Sequence, residues 1–82
     1  MFVKEGRILC MEPYKNFMLV GTNKGYVIVF HADTKKRHNV VSFNDAVLSM
    51  KVLSSKDSVV LGLASGDLYV AAGNDLLTGS KS

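Results

Sequence analysis

"RILCMEPYKNFMLVGTNKGYVIVF" (residues 7–30) and "AVLSMKVLSSKDSVVLGLASGDLYV" (residues 46–70) carry one hydrophobic pattern twice. Ile8-Leu9-Cys10-Met11 aligns with Val47-Leu48-Ser49-Met50 at an offset of 39 residues. Phe17–Gly21 then aligns with Ser58–Gly62, Gly25 with Gly66, and Val27-Ile28-Val29 with Leu68-Tyr69-Val70, all at an offset of 41. The change of offset falls near Ser54-Ser55-Lys56, a polar stretch where an insertion belongs in a loop. β-branched and aromatic types are prominent among the apolar residues, and turn residues recur at short intervals, which predicts strands. The expected strands are 2–4, 7–12, 17–22, 25–31, 37–42, 46–53, 58–64, 67–72 and 75–78, with Pro13 in the first break.

A period near 40 built from four short strands is the pattern of a β-propeller blade. The local chemistry agrees. A sheet with one wet face alternates apolar and polar residues, yet Phe17–Val20 and Tyr26–Phe30 are apolar at successive positions. Both faces of those strands therefore need cover, as in a blade packed between neighbours. Gly25 and Gly66 close "GTNKG" and "GLASG", where a tight hairpin calls for positive φ. The predicted fold is all-β: two consecutive four-stranded antiparallel blades, blade 1 at about 7–42 and blade 2 at about 46–78. Residues 2–4 then read as the outer strand of a preceding blade, and the whole of 1–82 as a partial propeller. A small closed β-barrel is the alternative, with the repeat weighing against it.

The 82 residues are 48% apolar, too rich for a disordered chain and close to the lower limit for a self-sufficient core. The lone Cys10 offers no internal disulfide, which fits a reducing compartment and a small buried side chain. The N-terminus lacks a signal-peptide pattern, and no apolar run approaches the length of a spanning helix. A cytoplasmic location and no membrane insertion are expected.

The net charge is +3 and uneven. Residues 1–41 hold seven Lys/Arg against three Asp/Glu, and residues 42–82 hold three against four. The excess centres on Lys35-Lys36-Arg37, followed by His38, which together form the candidate partner-binding cluster. A solvated turn explains the same residues, because they follow Ala32-Asp33-Thr34. No aromatic residues interleave with the charges to stack bases, so nucleic acid is not the expected partner; a basic nucleic-acid-binding protein goes with the barrel alternative.

"GRILCM", "GTNKGYVIVF" and "KKRHNVVSFNDAV" resemble the C-terminal WD-repeat domain of the Roco family's leucine-rich-repeat kinases, over roughly residues 6–72. The Trp-Asp pair of typical WD repeats is replaced by Phe30-His31 and Ala71-Ala72, and Phe43-Asn44-Asp45 stands where a Gly-His pair is usual. The hydrogen-bonded tetrad of WD repeats therefore does not carry over. The resemblance implies a non-catalytic scaffold that self-associates and docks partners such as microtubules or vesicles, with kinase and GTPase centres in other domains.

No catalytic constellation is legible. Gly21 and Gly25 lack the spacing and the following Lys-Ser/Thr of a phosphate loop. His31 and His38 flank a turn with Asp33 nearby, but a metal needs further ligands and supporting partners. Neither enzyme activity nor a cofactor, metal or small-molecule substrate is expected. Two blades do not close a ring, so the chain reads either as part of a longer propeller or as a unit that assembles with its own copies.

Overall fold

The structure is a computed structural model that describes residues 2–3, 6–43 and 45–78. Strands β1 (Phe2–Val3), β2 (Gly6–Tyr14), β3 (Phe17–Thr22), β4 (Tyr26–His31) and β5 (Arg37–Ser42) form one antiparallel sheet in chain order. Strands β6 (Val47–Leu53), β7 (Ser58–Leu63) and β8 (Leu68–Ala72) form a second. No strand pairing joins the two sheets among the described residues, so the closed barrel is excluded and the propeller blades stand. The strand expected over 2–4 is described as Phe2–Val3, paired to Gly6–Arg7, while Lys4 lies outside the described residues.

The repeat is exact enough to reproduce an irregularity. The β2–β3 register slips between Ile8 and Cys10, and β6–β7 slips between Val47 and Ser49. In each case a glycine, Gly21 or Gly62, lies opposite the bulge. The bulge carries a side chain over that glycine: a Cβ on Gly21 would lie 2.7 Å from Cys10 Sγ, and one on Gly62 would lie 2.5 Å from Ser49 Oγ. The bulge and the missing side chain are one device, written twice. The hairpins also match, with Asn23 N donating to Arg7 O at 2.9 Å and Ala64 N to Ala46 O at 3.0 Å. Gly25 and Gly66 have φ of 87° and 97°. The additional residues of the second copy form a 3-10 turn, Ser54–Lys56.

Two expectations are corrected. Pro13 lies inside β2, paired to Met18, and not in a break. Since β1 reaches only as far as Arg7, this part of β2 is an edge, where a missing N–H is tolerated. The outer strand expected at 75–78 is instead a short helix, α1 (Gly73–Thr78). The reason lies in Leu76-Leu77. In a strand these neighbours would point to opposite faces. In the helix Leu76 is fully buried and Leu77 partly so, both against the common core. Asn39 Nδ2 donates to Leu76 O at 2.8 Å, fastening α1 to the outer strand of the first sheet.

The two sheets bury one face each against the other. Leu19, Val27, Val29 and Val41 of the first meet Val47, Val59, Leu61 and Ala71 of the second in a single hydrophobic cluster. In β4 the consecutive Val27, Ile28 and Val29 are all fully buried, which accounts for the unbroken apolar run. Val27 and Val29 supply the face turned to the second sheet, and Ile28 lies on the face turned away.

Candidate functional site

Three regions beyond the core carry chemistry: the basic hairpin, the polar seam between the sheets, and the two sheet faces turned away from each other. The hairpin is set by His31, whose N–H donates to Lys36 O at 2.8 Å while its carbonyl accepts from Lys35 N at 2.8 Å. Lys35 takes left-handed backbone, φ 63°, to complete the turn. Lys35, Lys36, Arg37 and His38 are all exposed, but they do not form one surface. A register slip at Phe30 turns Arg37 over the Phe30 ring at 5.9 Å, on the face away from the second sheet. His38 goes to the other face, its ring 4.9 Å from both Phe17 and His31.

The His31–His38 pair therefore meets edge to face as part of an aromatic cluster. No group of three or more His, Cys, Asp or Glu able to hold a metal occurs among the described residues. Beside the cluster an open cleft of about 470 Å³ is lined by Lys15, Asn16, Phe17, His31, Ala32 and Asp33. Cys10 is half-buried with its Sγ 3.5 Å from Val47 O, and burial pushes the thiol pKa up, the reverse of a reactive cysteine.

The polar seam was not legible in the sequence. The buried Tyr14, at the end of β2, donates its hydroxyl to Asp57 Oδ1 in the corresponding turn of the second copy. Lys15 Nζ lies 3.4 Å from the same carboxylate, and Gly73 N donates to Asp57 O at 2.8 Å. Gly73 is glycine because a Cβ there would strike the Tyr14 ring and hydroxyl. The only sequence signal was that Tyr14 and Asp57 border equivalent turns of the two repeats.

The Tyr14 hydroxyl, with Lys15, holds the Asp57 carboxyl below its ordinary range, and burial together with Asp57 pushes the Tyr14 hydroxyl up. A depressed carboxylate stabilises the fold fully above its unfolded pKa of about 4, and that contribution is lost as pH falls through the lower folded value. Tyr14→Phe removes the principal cause of the shift. Thermal melts from neutral to strongly acidic pH should show the wild type more stable at neutrality, with the gap narrowing below about pH 4. A gap independent of pH would show that the hydroxyl does not couple to Asp57.

The third region is the pair of outward faces. On the second sheet Leu68 is 75% exposed and Val70 63% exposed, both on the face away from the first sheet. On the first sheet Met11 is 54% exposed on the outward face, where Met18 and Phe30 are half-buried and Val20 and Ile28 are buried. No described helix is long and apolar enough to cross a membrane. A family model described as LRRK2 beta propeller matches residues 1–80. No curated protein matches the chain.

Proposed function

Because the chain belongs to the LRRK2 beta-propeller family, we propose that it is a non-catalytic protein-interaction and self-association module, acting as a scaffold in a cytoplasmic, LRRK2-like protein. In this reading blade 1 runs over about 7–42 and blade 2 over about 46–78. Lys35, Lys36, Arg37 and His38, split between the two faces of the β4–β5 hairpin, offer separate contacts for acidic groups of a protein partner.

One observation carries the reading. Apolar side chains stand exposed on the outward face of each sheet, Leu68 and Val70 on one side and Met11 on the other. Apolar faces of this kind on a small protein mark sites of association. Blades gain their stability from neighbour interfaces, of which the seam between the two sheets is one. Size-exclusion chromatography with light scattering on the 82-residue chain should give a mass above that of one chain at micromolar concentration. A monodisperse, cooperatively folded single chain would contradict the proposal.

A further inference from the structure

We propose that the turns carrying Lys15 and Lys35 form a docking site for an acidic peptide, which seats an aromatic side chain in the cleft beside Phe17 and His31. This deepens the interaction reading above, on which it rests, by naming a site and the chemistry of its partner.

The two ends of the strands are built differently. At one end the β3–β4 and β7–β8 hairpins close on Gly25 and Gly66, with φ of 87° and 97°. At the other end the β2–β3, β4–β5 and β6–β7 turns hold Lys15, Lys35 and Asp57 in left-handed backbone, with φ of 53°, 63° and 51°. Among the described residues no others except glycines have positive φ. Glycine adopts this conformation freely, whereas a side chain there strains the backbone. Asp57 has a reason within the fold, since it accepts from the Tyr14 hydroxyl. The lysines do not. Lys15 meets Asp57 only as an exposed pair, which is worth little. The Lys35 side chain has no partner among the described residues. Strain kept where it serves only to present a charge points to a ligand.

A receptive surface lies beside these charges. Lys15 lines the cleft of about 470 Å³ from one turn and Asp33 from the other, with Lys35 two residues further on. The half-buried Phe17 and His31 rings, 5.1 Å apart, form a wall on which a third ring can stack. Phe17 also packs against the core shared by the two sheets, so the cleft opens beside the seam and not on an outward face. The turns at this end hold Lys15, Lys35, Lys36 and Lys56 against Asp33 and Asp57. Asp75 of α1 does not reverse the sign. Those at the glycine end hold Lys24 against Asp45 and Asp67. An aromatic ring flanked by carboxylates complements the first arrangement. A nucleic-acid strand fits it less well, because Asp33 and Asp57 interrupt the lysines along the phosphate track.

The chain has no tryptophan, so a probe peptide with one tryptophan between two glutamates on either side reports binding without background. Adding the protein at low salt is expected to shift the tryptophan emission to the blue. A peptide with lysines in place of the glutamates is expected to show no shift. The double variant Lys15→Gly/Lys35→Gly should bind about tenfold more weakly, the order expected of two exposed ion pairs. Its melting temperature should stay at or above that of the wild type, because the strain is relieved. Asp33 Oδ1 accepts from Thr34 N at 2.7 Å. Asp33→Asn keeps an oxygen for that bond, removes an acid from the cleft and should tighten binding. Absence of a blue shift, an equal shift with the lysine peptide, or undiminished binding by the double variant would overturn the proposal. So would a double variant that melts lower, since the lysines would then serve the fold. Displacement of the peptide by an equimolar uridine decamer would overturn it in favour of nucleic acid. None of these results bears on the mass measured by light scattering, which decides the interaction reading separately.

Discussion

Replacement of Gly25 by valine is expected to cost far more stability than the same replacement at Gly66, although the two glycines occupy equivalent hairpins. Both hold positive φ, 87° and 97°, where a β-branched side chain is strained. The difference lies in their surroundings. A Cβ on Gly25 would lie 2.5 Å from Phe43 O and 2.8 Å from Asp45 O, both backbone atoms of the link between the sheets. Around Gly66 nothing lies within 4 Å. Gly66→Val should therefore cost about 1 kcal/mol, the lower end for local backbone strain. Gly25→Val adds a collision with fixed backbone and endangers the bond from Phe43 N to Gly25 O at 2.6 Å. Its cost should reach about 3 kcal/mol or more. Chemical denaturation of both variants checks this, and equal costs would mean that the link does not pack on the first hairpin.

Val29→Lys is expected to unfold the chain, whereas Val70→Lys, its repeat equivalent, should leave it folded. Val29 is fully buried between the sheets, and Val70 is 63% exposed. A fully buried lysine shifts its pKa by about 3–5 units, worth about 4–7 kcal/mol. A chain of 82 residues has a total stability of roughly 4–12 kcal/mol. The first change thus consumes most of the margin and the second little of it. Far-UV circular dichroism with thermal melts separates them. If Val70→Lys unfolds the chain as Val29→Lys does, the outward face of the second sheet is not open.

The architecture was legible because the repeat constrains strand positions through pairs of residues. Gly25 and Gly66 marked the hairpins without any long-range information, and both hold positive φ. The run Tyr26–Phe30 announced a strand covered on both faces, and Val27, Ile28 and Val29 are all fully buried. The misreadings have a common origin in tertiary context. Leu76-Leu77 looked like the start of a strand, but α1 packs on β5 and β8 and buries Leu76 fully and Leu77 partly against the core. Pro13 looked like a break, but β1 is too short to make that part of β2 an interior strand. The Lys35–His38 cluster read as one patch, and the register slip at Phe30 divides it between two faces. The Tyr14–Asp57 contact depends on how the two repeats are placed side by side, which no local pattern encodes.

The central claim is that two copies of one blade pack face to face, and that their seam runs from the Gly21 bulge to the Tyr14 turn. Nuclear Overhauser contacts in the isotopically labelled chain test it most directly. The account predicts contacts from the Gly21 α-protons to the Val47 methyls and from the Tyr14 ring to the Gly73 α-protons, since Val47 and Tyr14 lie against those positions. It also predicts no cross-strand backbone contacts between β5 and β6, which belong to separate sheets. Absence of the two seam contacts together with a β5–β6 ladder would contradict it and would describe a single continuous sheet.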